Sequence, residues 1–309
     1  MLVVVAFIVG SMQSRFFLDS RYLLDSSTLY AEAGLLALGM TLVIISGNID
    51  LSVASTLALV AVVSANLLDA GWGLPAVVVA ALALGALLGC INGCLVAYAG
   101  IPSFMVTVGT LALYRGVAQA MLGAESVKMP SELIGIDMKY VPGTVVPVSL
   151  AGLIVIATVC GLVLNRSVLG HWVRAVGTNE KASFYSGVPT AGVKVAVFAI
   201  AGMLAGLAAL HIDSRLGVAR FDHARGLEVD VITAVVLGGT SIFGGKGSVL
   251  GTMLALLLIA LIRTGMGVAN VKAEYQLAVI GSLLVITVVA TNLGERLASR
   301  GRVKMRTQK

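Results

Sequence analysis

Long apolar runs separated by short polar breaks set the pattern of this chain. Ten runs are candidates for spanning helices: 2–17, 28–45, 51–68, 74–98, 102–122, 144–164, 192–211, 229–243, 248–264 and 275–291. A helix needs about 20 mostly apolar residues to cross a bilayer, and several of these runs are shorter than that. The second and third are divided only by Ser46-Gly47-Asn48-Ile49-Asp50, and the eighth and ninth only by Gly244-Gly245-Lys246-Gly247. Short, glycine-interrupted apolar segments are what broken or re-entrant helices look like. The pattern predicts an all-α polytopic membrane protein. It has one transmembrane domain over 1–309, about ten spans, and two regions of broken or re-entrant helix. A faint echo joins the two breaks, since Ser52-Val53-Ala54-Ser55-Thr56 and Ser248-Val249-Leu250-Gly251-Thr252 share S-V-x-x-T.

Composition agrees with this reading. The chain is 58% hydrophobic and 12% charged, with a mean hydropathy of +1.01, whereas soluble domains are about 25% charged. Its 36 glycines suit helices that must approach closely or break. The first run, Leu2–Met12, has no basic residue before it and no small-residue cleavage pattern after it, so a secretory signal is not expected. The natural start lies either at Met1 or upstream. With ten spans, one side holds the 165–194 loop, the Lys246 turn and the 292–309 tail. These three segments carry eleven basic residues against Glu180 and Glu295, six of the eleven in the tail. The positive-inside rule makes that side cytoplasmic, with both termini. The basic tail reads as an anchor on anionic lipid headgroups and not as a nucleic-acid arm.

The residues that could carry chemistry are few. Cys90 and Cys94 share a helix face, but no His or carboxylate adjoins them, which favours packing over metal binding. Cys160 stands apart, and His171, His211 and His223 are scattered, so no metal site is expected. Gly239–Gly247 reads G-T-S-I-F-G-G-K-G and superficially suggests a phosphate-binding loop. Thr240 stands where that loop needs its first glycine, and Gly247 where it needs a hydroxyl. The chain is therefore expected to bind no ATP there and to carry no catalytic apparatus. Ionisable groups inside lipid are costly and usually functional. Glu32 and Arg115 lie within runs and are expected to pair across helices, whereas Arg263, near a run's end, is expected to snorkel. Asp50 fits either an N-cap of the third helix or the lining of a path. In the long loop, Asn179 can cap a short helix from Glu180 that Gly187 and Pro189 end. Such an amphipathic helix fits either the headgroup layer or a groove on a soluble partner.

Three blocks together resemble the permease subunits of bacterial ABC importers for monosaccharides, of the ribose/xylose/rhamnose type. Gly47-Asn48-Ile49-Asp50-Leu51-Ser52-Val53-Ala54-Ser55 is similar to G-G-I-D-L-S-V-G-S. Gly170, Ala175, Gly177, Asn179, Ala182, Ser186 and Gly187 match the family's G-R-x(3)-A-x-G-x-N-x(2)-A-x(3)-S-G. The stretch from Ala234 to Thr252 matches nearly unbroken. In order and spacing the blocks cover about 28–291. Asn48 and Ala54 replace family glycines, His171 replaces an arginine, and Thr291-Asn292-Leu293 stands where an acidic residue is common.

The resemblance implies a permease in the bacterial inner membrane, with no cofactor of its own. ATP and Mg sit on a cytoplasmic ABC ATPase, a periplasmic binding protein delivers the sugar, and a second permease chain, identical or similar, completes the pair. It assigns 165–194 as the coupling loop, through Gly170, Arg174, Gly177, Asn179, Glu180, Ala182, Ser186 and Gly187. A polar path for a neutral sugar is expected along the two breaks, at Asn48, Asp50, Ser52, Gly238, Gly239 and Thr240, with Asn92 added. Two rivals are a secondary carrier driven by an ion gradient, which Glu32 and Asp50 would serve, and a membrane sensor that transports nothing. The identity of the sugar, and the choice between homodimer and heterodimer, are not written in these blocks.

Overall fold

The computed structural model describes residues 19–123 and 125–306; the first expected span, 2–17, lies outside them. The described chain is a bundle of helices: α1 (Ser20–Ser26), a 3-10 turn (Ser27–Tyr30), α2 (Ala31–Ile45), α3 (Val53–Asp69), α4 (Leu74–Ala97), α5 (Ser103–Leu122), α6 (Val148–Arg166), α7 (Val168–Thr178), α8 (Glu180–Tyr185), α9 (Thr190–Leu216), α10 (Leu227–Leu237), α11 (Val249–Val268) and α12 (Ala273–Arg306). A two-residue antiparallel ladder, β1 (Val127–Lys128) with β2 (Val218–Ala219), clips two loops together at one end. Among the described residues six segments are long and apolar enough to cross a membrane: Arg21–Ile45, Leu74–Ala97, Ser103–Leu122, Val148–Arg166, Thr190–Leu216 and Val249–Val268. Val53–Asp69 and Ala273–Val289 are shorter apolar helices.

The bundle is organised around α2 and α9. Every residue of α2 is buried, with α9, α10, α6 and α11 packed about it. Glycines set the closest crossing, between α4 and α9. A Cβ on Gly85 would strike the Gly202 carbonyl, and one on Gly89 the Phe198 carbonyl. One on Gly202 would in turn strike the Gly85 carbonyl. Such small-residue spacing brings backbones together where lipid supplies no hydrophobic drive between helices. The outer faces of α6 and α12 are apolar yet exposed, with Val155 62% and Ile286 64% accessible. That is the surface of a helix bundle covered by lipid, and the chain is a multi-pass membrane protein.

Most expected runs match helices within a few residues. The eighth does not, because α10 ends at Leu237 and not near 243. The reason is a turn that also ends α2. At the end of α2, Gly47 (φ +82°) donates its N–H to Ile44 O at 2.9 Å, and Asn48 donates to Val43 O at 3.1 Å. At the end of α10, Gly239 (φ +86°) donates to Val236 O at 3.0 Å, and Thr240 to Val235 O at 3.2 Å. Both are Schellman ends, which need a residue at positive φ. Each is followed by a helix with serine at its N-cap, Ser52 for α3 and Ser248 for α11. The echo in the sequence is thus a repeated helix–turn–helix construction. The last helix also differs from expectation, since α12 continues through the basic 292–309 tail as far as Arg306.

Candidate functional site

Two helix breaks and the α7–α8 loop meet at one end of the bundle. Ser167 caps α7 by accepting the Gly170 N–H at 3.1 Å, and Gly170 lies against the Leu164 carbonyl, where only glycine fits. Val173 and Val176 bury one face of α7. At its last turn Gly177 sits between the breaks: a Cβ there would overlap the Ile45 carbonyl and lie 2.6 Å from Gly245 N. Gly245 donates its N–H to Ile45 O at 2.8 Å, closing first break onto second. Arg174 adds a third tie, from its guanidinium to Gly247 O at 3.1 Å and to Asn165 Oδ1 at 2.9 Å.

The short α8 forms as its sequence predicts. Asn179 Oδ1 accepts the Ala182 N–H at 3.0 Å, and Ser186 Oγ donates to Ala182 O at 2.9 Å. Gly187, at φ +85°, ends the helix. Lys194 of α9 holds Glu180 at 2.6 Å. Phe184 and Tyr185 stand edge to face, 5.8 Å apart, and are 64% and 86% exposed. Behind α8 lies a cavity of about 750 Å³, lined by Asn48, Ser103, Glu180, Lys181 and Lys194 among others. Asn48 Nδ2 donates to Ser46 Oγ at 3.0 Å.

Deeper in, Asp50, Ser52 and Asn92 form one buried chain. Asp50 Oδ1 accepts from Ser52 N at 2.9 Å and from Ser52 Oγ at 2.6 Å. Ser52 Oγ accepts from Asn92 Nδ2 at 2.8 Å. Tyr114, which sequence reasoning missed, extends the chain by donating to Asn92 Oδ1 at 3.3 Å and Leu88 O at 3.0 Å. The second break is not part of this network. Gly238 packs on the backbone of Gly251 and Thr252, Gly239 is exposed, and Thr240 is buried near Gly247 with its hydroxyl unpartnered.

The expected pair of Glu32 and Arg115 is corrected. Glu32 accepts from Arg215 and lies 3.0 Å from His211 Nδ1. Arg115 donates instead to Phe221 O and His223 O, both at 2.7 Å. These carbonyls belong to the turn before α10, where a side chain of α5 can reach them without a carboxylate. In that turn the Arg220 guanidinium bonds Asp222 at 2.8 Å and holds its carboxyl below the usual range. Arg263 does not snorkel; it grips Asp230 with 2.6 and 2.7 Å contacts. A usable signal existed for Glu32, because His211 and Arg215 are four residues apart and share a helix face.

Residues 22–288 match the family described as branched-chain amino acid transport system / permease component. The chain is 34% identical over 281 residues to the autoinducer 2 import system permease protein LsrD of Photorhabdus temperata, covering 89% of this chain and 84% of that one. It is 33% identical over 294 residues to the D-allose transport system permease protein AlsC of Escherichia coli K12, covering 94% and 90%. The LsrD protein of Klebsiella pneumoniae is 35% identical over 283 residues, covering 89% and 85%. No solved structure matches the chain. Matched along nearly its whole length, the chain belongs to the branched-chain amino acid transport system permease component family.

Proposed function

We propose that this chain is the membrane-spanning permease subunit of an ATP-binding cassette importer. It passes a monosaccharide or related small polyol into the cytoplasm by alternating access. The observation that carries this reading is the junction at Gly177, where α7 contacts the backbones of both helix breaks at once. Force applied to α7–α8 by a partner ATPase reaches both breaks through backbone contacts with no slack. The exposed Phe184 and Tyr185 supply an apolar knob for a groove on that partner. Differential contact of the ATPase with this loop biases the outward- and inward-open states, as coupling requires.

In this reading the chain has ten spans and re-entrant stretches at the two breaks. The α7–α8 face and both termini are cytoplasmic, and a second permease chain and a periplasmic binding protein complete the importer. The alignment with the D-allose permease over 94% of this chain supports a sugar as cargo. Asn48, Asp50, Ser52, Asn92, Gly238, Gly239 and Thr240 are the assigned path residues. Those of the first break and Asn92 supply its hydrogen-bonding groups, and Gly238 and Gly239 give the second break its turn.

The test is uptake in membrane vesicles holding this chain, its ATPase and its binding protein, with ATP present and ion gradients collapsed. Sugar uptake that persists, and is lost in Gly177→Val, supports the coupled importer. Uptake that disappears with the gradient overturns it in favour of a secondary carrier.

A further inference from the structure

The cavity of about 750 Å³ behind α8 falls within the roughly 300–1,000 Å³ of small-molecule sites. Half of its lining residues are polar, and they come from the first break, α5, α8 and α9. Two long helices begin in its wall, α5 at Ser103 and α9 at Thr190. Their N-cap residues are Pro102 and Pro189, and no side chain caps either helix. The N–H groups of Ser103 and Phe104, and of Ala191 and Gly192, meet no acceptor among the described residues. Helix starts with free N–H groups carry partial positive charge and suit an anion.

Two buried side chains point to a ligand independently of the helix starts. Thr190 is 7% exposed, and its hydroxyl has no hydrogen-bond partner. Asn48 is 6% exposed; its Nδ2 is taken by Ser46, and its Oδ1 is free. Neither free oxygen is sealed from water as the Thr240 hydroxyl is, and the space beside both is this cavity. Charge agrees with the helix starts. Lys194 gives one N–H to Glu180 at 2.6 Å, which leaves two donors. Lys181 has no ion-pair partner among the described residues. Two ammonium groups thus face one carboxylate that is 49% exposed. These donors exceed what the two oxygens of a carboxylate can accept and match the three of a phosphate. Asn48 Oδ1 asks for the opposite, a donor on the same molecule, and a hydroxyl supplies it.

We propose that this cavity binds a hydroxylated phosphate ester through Thr190, Ser103, Lys181, Lys194 and Asn48. Two sources carry that chemistry: a free sugar phosphate, and the glycerol phosphate headgroup of an anionic lipid. An occupant joins α8 to α5 and α9 and covers Asn48, so its effect on transport rests on the importer reading, whereas its binding does not. The test uses the full chain in nanodiscs, with Cys90, Cys94 and Cys160 replaced by alanine and Ala97→Cys in the cavity wall as reporter. In phosphatidylcholine, the rate of maleimide labelling is followed with millimolar ribose 5-phosphate, glycerol 3-phosphate or D-ribose. The same rate is then read in nanodiscs containing phosphatidylglycerol, with nothing added.

Slower labelling with a soluble ester, and not with D-ribose, supports the site with a free phosphate as its ligand. Slower labelling in phosphatidylglycerol alone supports it with the lipid headgroup. Lys194→Gln and Thr190→Val should each raise the ester concentration needed by about tenfold, the loss of one hydrogen bond to a charged group. With the lipid, they should return labelling towards the phosphatidylcholine rate. Lys181→Gln gives the same comparison if Lys194→Gln, which leaves Glu180 unpaired, does not fold. Three results overturn the site: no protection by either ester or by phosphatidylglycerol, equal protection by D-ribose, or protection unchanged in the folded variants. The last is what a general surface charge produces. ATP-driven uptake by the complete importer is scored separately. Uptake without protection removes the site and keeps the importer, whereas protection without uptake keeps the site and removes the importer.

Discussion

Glu32 shows how a buried charge is accommodated in this molecule. Its carboxylate is 4% exposed in the first turn of α2 and meets Arg215 and His211 from α9. Removing Arg215 leaves the Glu32 carboxylate without its guanidinium partner and with little water nearby. Arg215→Leu should therefore destabilise the fold by roughly 3 kcal/mol. Glu32→Leu combined with Arg215→Leu should recover much of that loss, because no lone charge remains. Unfolding in detergent, followed by circular dichroism, reads both variants. If Glu32→Leu rescues Arg115→Leu instead, the assignment of partners is wrong. Glu32, Asp50, Arg115 and Arg263 were legible from the sequence as charges inside the bundle, whereas Asp213, Arg215 and Asp230 were not singled out. The partners of Glu32 and Arg115 were not legible, because pairing depends on the relative register of α2, α5 and α9, which no local pattern encodes. The same holds for Arg263, whose place near a run's end says nothing of Asp230 across the helix crossing.

Helices were the most legible level, and the places where the reading failed have local causes. Run 229–243 reads as one span because Ser241-Ile242-Phe243 continues its apolar character beyond Gly238 and Gly239. The backbone nevertheless turns at Gly239, where positive φ allows the N–H groups to cap α10. Apolarity predicts burial in lipid and not the path of the chain. Within the long loop the start and stop of α8 were legible, since Asn179 and Gly187 are strong local signals, whereas the helix Val168–Thr178 was not foreseen.

Glycine roles divide sharply by element, and substitution should expose the division. Gly89 and Gly202 lie where α4 and α9 touch, and any Cβ there meets backbone. Gly89→Val should cost about 1–3 kcal/mol or more, since neither helix can move without disturbing the centre of the bundle. Gly109 on α5 has nothing within 4 Å of its would-be Cβ. Gly109→Ala should leave stability unchanged or raise it by up to about 1 kcal/mol through helix propensity. Melting temperatures of the two purified variants, side by side, check the contrast. Equal effects would mean that the α4–α9 crossing is looser than its contacts imply.

At the scale of the molecule, the chemistry is separated between two ends. One end gathers Gly47, Gly177, Gly244 and Gly245 with the exposed aromatic pair of α8. The other gathers Glu32, His211 and Arg215, with Asp213 beside His223. Helices α2 and α9 run between them, so a shift of α7 against Ile45 moves an element whose far end carries Glu32. That continuity is a physical route for coupling only if the ends face opposite sides of the membrane, as the basic loop and tail predict. Single cysteines in a chain lacking Cys90, Cys94 and Cys160 test this directly. Tyr185 is 86% exposed at one end and Val145 52% exposed at the other. An impermeant maleimide should label Val145→Cys in intact spheroplasts, and Tyr185→Cys only after the membrane is opened. Adding the ATPase should then slow labelling at Tyr185→Cys and leave Val145→Cys unaffected. Labelling of both cysteines from outside would put α8 on the wrong side for a cytoplasmic motor. The Gly177 junction would then be a packing feature with no mechanical role.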